Sequence, residues 1–132
     1  MESILAPRIA TLLALPLLIA GAGAPWATTP LQATMRTWNA NATTITQMVA
    51  GPHALDKAEA TQLLLEYIVD ARAIASQTNE SSPQAIDLKS RFEGFAADAQ
   101  LTIDAIRVND KVRARYSQLR ADCSACHDLY AD

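Results

Sequence analysis

The stretch LQATMRTWNANATTITQMV, residues 31–49, decides the fold class. Its apolar side chains are spaced alternately by four and three residues, and they are Leu31, Met35, Trp38, Ala42, Ile45 and Val49. That spacing puts them on one face of an α-helix and is typical of a helix in a bundle. Thr29 before Pro30 predicts the helix start, and Gly51 before Pro52 predicts its end.

Three further helices are predicted after this one. Residues 56–76 centre on Leu63-Leu64-Leu65, residues 83–107 follow a polar connection, and a turn at Asn109-Asp110 leads to a last helix that ends near Tyr130. The second helix has the apolar residues Ile68, Ala71 and Ala75 on one face. The third has Leu88, Phe92, Phe95, Ala99 and Ile106. The fourth has Val112, Tyr116, Leu119, Cys123, Cys126 and Tyr130. Four such helices with short loops predict an all-α, up-down-up-down antiparallel four-helix bundle.

The pentapeptide Cys123-Ser124-Ala125-Cys126-His127 carries the chemistry of the chain. The whole sequence has two cysteines and two histidines, and three of these four residues lie in the pentapeptide. C-x-x-C-H is the attachment pattern for haem c, in which each thiol adds across one porphyrin vinyl group and the imidazole coordinates iron. On a helix the three residues are at i, i+3 and i+4 and share one face. One covalently attached haem is therefore the expected cofactor.

Other uses of the two cysteines fit less well. Zinc needs about four ligands, and outside the motif only His53 remains as a nitrogen or sulfur donor besides the methionines. A thioredoxin-like centre begins a helix in a βαβ unit, whereas this motif ends a helical pattern. A disulfide between Cys123 and Cys126 would close a very short loop and restrain little.

The N-terminus has the pattern of a secretory signal peptide. An apolar run from Ile9 to Ala20 follows Arg8, and small residues come after it. We predict a signal peptide over residues 1–24, cleaved after Ala22 or Ala24, and a cytochrome domain over residues 25–132 in the periplasm. An uncleaved anchor is the alternative, although the run is shorter than the roughly 20 residues of a membrane span.

The charge of the chain argues against one class of binding partner. The formal net charge is −3 for 132 residues, and no strongly basic face indicates nucleic acid. We expect two kinds of partner. The cytochrome c maturation machinery would attach the haem, and periplasmic or membrane-bound redox proteins would exchange electrons with it. A homodimer is left open by the sequence.

The second iron ligand can be sought by position in the bundle. Met35 lies about six residues into the first helix and His127 about five from the chain end, which puts both roughly 7–9 Å from the same end. Met48 and His53 belong to the opposite end and are excluded. Core packing is the alternative role for Met35. Phe92, Phe95 and Trp38 are expected to line the haem pocket, with Trp38 one turn from Met35.

With these residues the chain resembles class II c-type cytochromes, the cytochrome c-prime superfamily. The pattern Met35-x-Thr37-x-Asn39-x-Asn41 is also similar to the periplasmic b-type bundle cytochrome of that fold, and Gly94-Phe95 resembles a haem-packing stretch. The resemblance implies Met35 as distal ligand, His127 as proximal ligand, and Cys123 and Cys126 as thioether anchors. The region between the third and fourth helices is several residues shorter than this resemblance implies.

Two functions follow from the resemblance, separated by one bond. If Met35 binds iron, the haem is six-coordinate and low-spin, no position remains for a substrate, and the protein is an electron carrier and not an enzyme. If Met35 only packs, the iron is five-coordinate and the protein binds small gases such as NO or CO. We expect the electron carrier.

Overall fold

The computed structural model describes residues 29–79 and 81–131, and these residues form four α-helices and no strand. The all-α class is confirmed. The predicted signal peptide, residues 1–24, lies outside the described residues. The helices are α1 (Pro30–Ala50), α2 (Lys57–Gln77), α3 (Pro83–Val108) and α4 (Val112–Tyr130).

The helix starts are set by side-chain caps. The Thr29 hydroxyl accepts a hydrogen bond from the Gln32 amide at 3.2 Å, and the Gln32 side chain accepts one from the Thr29 amide at 3.0 Å. This reciprocal pair is a capping box, and it satisfies two amides that the first turn leaves without partners. The Asp56 and Ser82 side-chain oxygens each accept one hydrogen bond from the amide three residues on, and they cap α2 and α3 without the reciprocal bond. The starts of these three helices are within one residue of the predicted starts.

The helix ends have different causes. Gly51 has an extended backbone with φ −76°, but a Cβ at this position would lie 2.1 Å from the Gln47 carbonyl oxygen, so only glycine fits there. Asn109 ends α3 in the left-handed conformation with φ 54°, which asparagine tolerates better than most residues. Lys111 also has a positive φ, and it precedes α4 without a side-chain cap.

Each helix packs against its neighbour in sequence, and α4 also packs against α1, which closes a ring of four helices. The α2–α3 contact is the most extensive, whereas α1 approaches its neighbours closely at few places. No helix among residues 29–79 and 81–131 combines the length and apolar character that a membrane crossing requires.

The core is fullest in one half of the bundle, which we call the packed half. Its largest fully buried side chains come from the C-terminal halves of α1 and α3 and the N-terminal halves of α2 and α4, and they are Ile45, Leu64, Thr102, Ile106 and Leu119. Most residues of the predicted stripes are buried or half-buried, but Leu31 and Tyr130 are exposed. Leu65, however, is 42% exposed, because the buried face of α2 passes through Leu64 and Tyr67.

Candidate haem site

The other half of the bundle, which we call the cavity half, contains a space of about 870 Å³ between α1, α3 and α4. This volume is within the range of small-molecule and cofactor sites. The lining side chains come from the N-terminal half of α1, from residues 88–98 of α3 and from the end of α4. The cavity half is therefore formed by the helix ends that the packed half does not use.

All seven residues predicted for the cofactor site line this one cavity. They are Cys123, Cys126, His127, Met35, Trp38, Phe92 and Phe95. Met48 instead packs against the core cluster, and His53 is an exposed residue of the α1–α2 connection; neither lines the cavity. The structure thus brings together the residues that were expected together and separates the two that were excluded.

The C-x-x-C-H motif is helical throughout, because α4 continues to Tyr130. Its two cysteines are free thiols and half-buried, and His127 is exposed. Burial raises the pKa of both thiols, and nearby Arg120 and Arg91 oppose this rise at Cys123 and Cys126 respectively. Both thiols and the imidazole therefore reach the same cavity from one face of α4.

Aromatic rings form the inner wall of the cavity. Trp38 stacks on Phe95 with ring centroids 4.8 Å apart and 15° between the planes, and it meets Phe92 edge-on at 6.2 Å. Tyr67 extends this cluster away from the cavity at 5.1 Å from Trp38. The rings have little exposure, and they separate the cavity from the packed half.

Gly94 leaves the α3 wall of the cavity without a side chain. A Cβ built at this position would have no neighbour within 4 Å, so packing within the described chain does not require glycine. Glycine inside a helix costs about 1 kcal/mol relative to alanine. A bare stretch of helix surface on a cavity wall fits the close approach of a flat ligand.

Charged groups stand at the rim of the cavity. Arg91 donates from Nε to the Asp87 carboxylate at 2.7 Å, and the Tyr130 hydroxyl donates to the same oxygen at 2.6 Å. These bonds, first from Tyr130 and then from Arg91, lower the pKa of Asp87. Arg91 and Arg36 both line the cavity, from α3 and α1, and provide positive charge suited to the carboxylates of a haem.

A second acidic group lies deeper in the cavity wall. Asp98 and Asp122 both line the cavity, and one carboxylate oxygen of Asp122, Oδ2, is buried without a hydrogen-bond partner. Its other oxygen accepts a hydrogen bond from Gln118 at 3.3 Å. Burial, together with the neighbouring Asp98 carboxyl, raises the pKa of Asp122 to about 6.

The donor set of the cavity fits a covalently attached haem. Two thiols have the attachment spacing, an imidazole follows directly, and a thioether comes from another helix. Among the described residues, no group of three or more His, Cys, Asp or Glu side chains is arranged to hold a metal ion.

Several lining residues were missed from the sequence. Arg36, Arg91, Asp98 and Asp122 have no motif, and their position on the cavity follows from how the helices pack. Tyr130 was assigned only to the apolar stripe of α4, although its hydroxyl bonds Asp87. The i, i+4 spacing of Asp87 and Arg91 was the one available signal, and it predicts a pair without its place on the rim.

In comparisons with known proteins, no family model, no curated protein and no solved structure matches the chain. The likeness to class II cytochromes c therefore depends on the residues quoted above. Their arrangement around one cavity is the basis for a functional proposal.

Proposed function

We propose that this chain is a periplasmic one-electron carrier that holds one haem c, with His127 and Met35 as the residues that would bind its iron. The observation that carries the proposal is the set of side chains that line one cavity. Two thiols, an imidazole and a thioether lie there among aromatic and apolar residues. When bound, the haem supplies an Fe(III)/Fe(II) couple. The export pattern of residues 1–24 is the basis for the periplasmic location.

Different residues of the chain would attach the haem, bind its iron and exclude water. Cys123 and Cys126 would hold the group through two thioether bonds, so it cannot dissociate. His127 and Met35 would bind the iron, and thioether ligation favours the reduced state and raises the reduction potential. Trp38, which is 7% exposed, would exclude water from the inner side of the cavity. Because His127 and Met35 would both bind the iron and leave no place for a substrate, we propose a carrier and not an enzyme.

The antiparallel arrangement of the helices is part of the proposal. Trp38 Nε1 donates to Asp70, whereas Asn41, further along α1, donates to Glu66, which is earlier in α2. This reversed order supports opposite directions for α1 and α2. Likewise, the bond between Tyr130, at the end of α4, and Asp87, near the start of α3, supports opposite directions for α3 and α4.

The carrier would exchange electrons with other redox proteins of the periplasm or its membrane. The cytochrome c maturation machinery would attach the haem after export. Leu129 and Tyr130 are exposed at the end of α4 next to the cavity, which brings the site close to the protein surface. Nothing in the net charge of −3 favours nucleic acid as a partner.

Absorption spectroscopy of the haem-loaded protein tests the ligation, with Met35→Ala as the variant and Met48→Ala as its matched control. Both methionines are on α1 and half-buried, but only Met35 lines the cavity. We expect a low-spin spectrum with a weak red methionine-to-iron charge-transfer band in the wild type and in Met48→Ala. The band should be absent from Met35→Ala.

Carbon monoxide gives the opposing outcome. A six-coordinate carrier should bind it only when Met35 is displaced, so Met35→Ala should bind it much faster than the wild type. A wild-type protein that is high-spin when oxidised, or that binds CO at once when reduced, would contradict the carrier and support a gas binder.

A further inference from the structure

The helix that carries Met35 is the one with the sparsest contacts, and two buried tyrosines bond to its backbone. The Tyr67 hydroxyl of α2 donates to the Trp38 carbonyl at 2.7 Å. The Tyr116 hydroxyl of α4 donates to the Ala42 carbonyl at 2.8 Å. We call Tyr67 and Tyr116 the tyrosine pair. They are 3% and 5% exposed, so water does not compete for these bonds.

The tyrosine pair bonds α1 from both sides. Trp38 and Ala42 are one turn apart on the buried face of α1, and the two hydroxyls come from different neighbouring helices. A helix carbonyl keeps a second lone pair, so it can accept a hydroxyl in addition to its helical amide. Burial raises the pKa of Tyr67, which keeps its hydroxyl protonated as a donor.

Side-chain bonds reinforce both contacts. Trp38 Nε1 donates to Asp70 on α2 at 3.0 Å. Thr46 also donates to the Ala42 carbonyl at 2.7 Å, and its hydroxyl is 3.2 Å from that of Tyr116. The Tyr67 bond is thus accompanied by a second bond between α1 and α2, and the Tyr116 bond by a second hydroxyl at the same carbonyl.

Directional bonds matter here because apolar packing alone does not fix how far a helix is shifted along its axis. Burial of apolar surface has little directional preference, whereas a hydrogen bond weakens steeply when its geometry changes. Ala42 is too small to interlock with α4, so its carbonyl bond to Tyr116 supplies what its side chain does not. Met35 is three residues before Trp38, about 4.5 Å along the axis. A displacement of α1 would carry Met35 with it.

We propose that Tyr67 and Tyr116 are positioning residues that fix α1 against α2 and α4 and thereby set where the Met35 sulfur stands in the cavity. The role of Met35 as an iron ligand rests on the proposed function, whereas the fixing of α1 does not. The tyrosine pair contacts no residue of the C-x-x-C-H motif through these bonds, and it acts through the backbone of α1 alone.

The test compares Tyr67→Phe and Tyr116→Phe with Thr102→Val as a matched control. Thr102 is fully buried, and its hydroxyl bonds only the Asp98 carbonyl within α3, so its removal takes a buried hydroxyl away without releasing α1. The protein is the haem-loaded full chain. Amide hydrogen exchange is measured along all four helices, together with the charge-transfer band and the rate of CO binding.

Loss of one hydroxyl bond should raise amide exchange in α1 about fivefold in each phenylalanine variant, with no such rise confined to α1 in Thr102→Val. The charge-transfer band should weaken and CO binding should accelerate about fivefold in the same two variants. If either phenylalanine variant fails to fold, Thr46→Val takes its place. It removes the 2.7 Å bond to the Ala42 carbonyl and the 3.2 Å contact to Tyr116 but keeps the Tyr116 hydroxyl, so it should show the same pattern at a smaller size.

Unchanged exchange in α1 for both phenylalanine variants would overturn the proposal. A rise equal across all four helices would also overturn it, because that result indicates general destabilisation. If the wild type lacks the charge-transfer band, the proposed function fails, and the exchange measurement still decides whether the tyrosine pair fixes α1.

Discussion

The packed half and the cavity half use the same four helices and the same apolar spacing, but they enclose their stripes to different degrees. In the packed half Ile45 is fully buried, whereas Leu31, on the same stripe of α1, is 42% exposed in the cavity half. On α4, Leu119 is 1% exposed, and Cys123 and Cys126 further along are only half-buried. The side chains of the chain fill one half and leave about 870 Å³ in the other.

We propose that the cavity half is built around a ligand and not around its own side chains. Protein interiors rarely leave spaces much larger than a water molecule. The residues that line this space include groups that can bind a haem or its iron, namely two thiols, an imidazole and a thioether. Incomplete burial and donor chemistry coincide in the cavity half, which supports the proposed cofactor site.

The same substitution in both halves should give the largest contrast. Leu64 is fully buried, so Leu64→Ala should lower the free energy of unfolding by about 3 kcal/mol through lost burial and an unfilled cavity. Leu31→Ala should lower it by less than about 1 kcal/mol in haem-free protein, because the side chain is already 42% exposed. Urea unfolding measures both. Equal losses would mean that the two halves are packed alike.

Asp122 should make the cavity half sensitive to pH. Its pKa is raised from an ordinary 3.8 to about 6, so the folded state binds more protons than the unfolded state between these values. Stability should therefore fall as pH rises through this window. Asp122→Asn should match the wild type near pH 4 and exceed it by about 1 kcal/mol at pH 7, after allowance for solvent screening.

Asp128→Asn is the matched control for this prediction, since Asp128 is an exposed aspartate on the same helix. The change in stability difference between pH 4 and pH 7 should be larger for Asp122→Asn than for this control. A constant difference for Asp122→Asn would contradict the burial of its unpaired oxygen.

Two glycines give the smallest contrast. Gly94→Ala should stabilise haem-free protein by about 0.5–1 kcal/mol, because the added Cβ meets nothing within 4 Å and alanine is the better helix former. Gly51→Ala should be destabilising, because its Cβ would lie 2.1 Å from the Gln47 carbonyl oxygen. In haem-loaded protein Gly94→Ala should lose its advantage. Retention of the full gain with haem bound would argue against close approach of a ligand at Gly94.

The helices could be predicted from local signals in the sequence. Thr29, Asp56 and Ser82 precede periodic apolar residues, and each one caps a helix through its own side chain. Such caps act within four residues, so they need no knowledge of the rest of the chain. The bounds of α2 and the end of α3 differ from the prediction by one residue each, and α3 ends at Val108 because the left-handed Asn109 stops the helix there.

The site could be predicted in part, to the extent that it depends on motif and level in the bundle. Met35 and the motif residues were placed by counting along helices, and that requires only the rise per residue. Tyr67 was missed, although Ala60, Leu64, Tyr67 and Ala71 repeat the four-three spacing of α1 and are all buried. The partner of its hydroxyl could not be predicted, because it depends on which turn of α1 faces α2.

The proposed function requires that the cavity half hold one haem by two covalent bonds. Its most direct test is the mass of the full chain, expressed with cytochrome c maturation machinery and denatured before measurement. We predict a mass increased by one haem in the wild type and no such increase when both Cys123→Ser and Cys126→Ser are present. A wild-type protein that retains no haem after denaturation, under conditions that load a known cytochrome c, would contradict the claim.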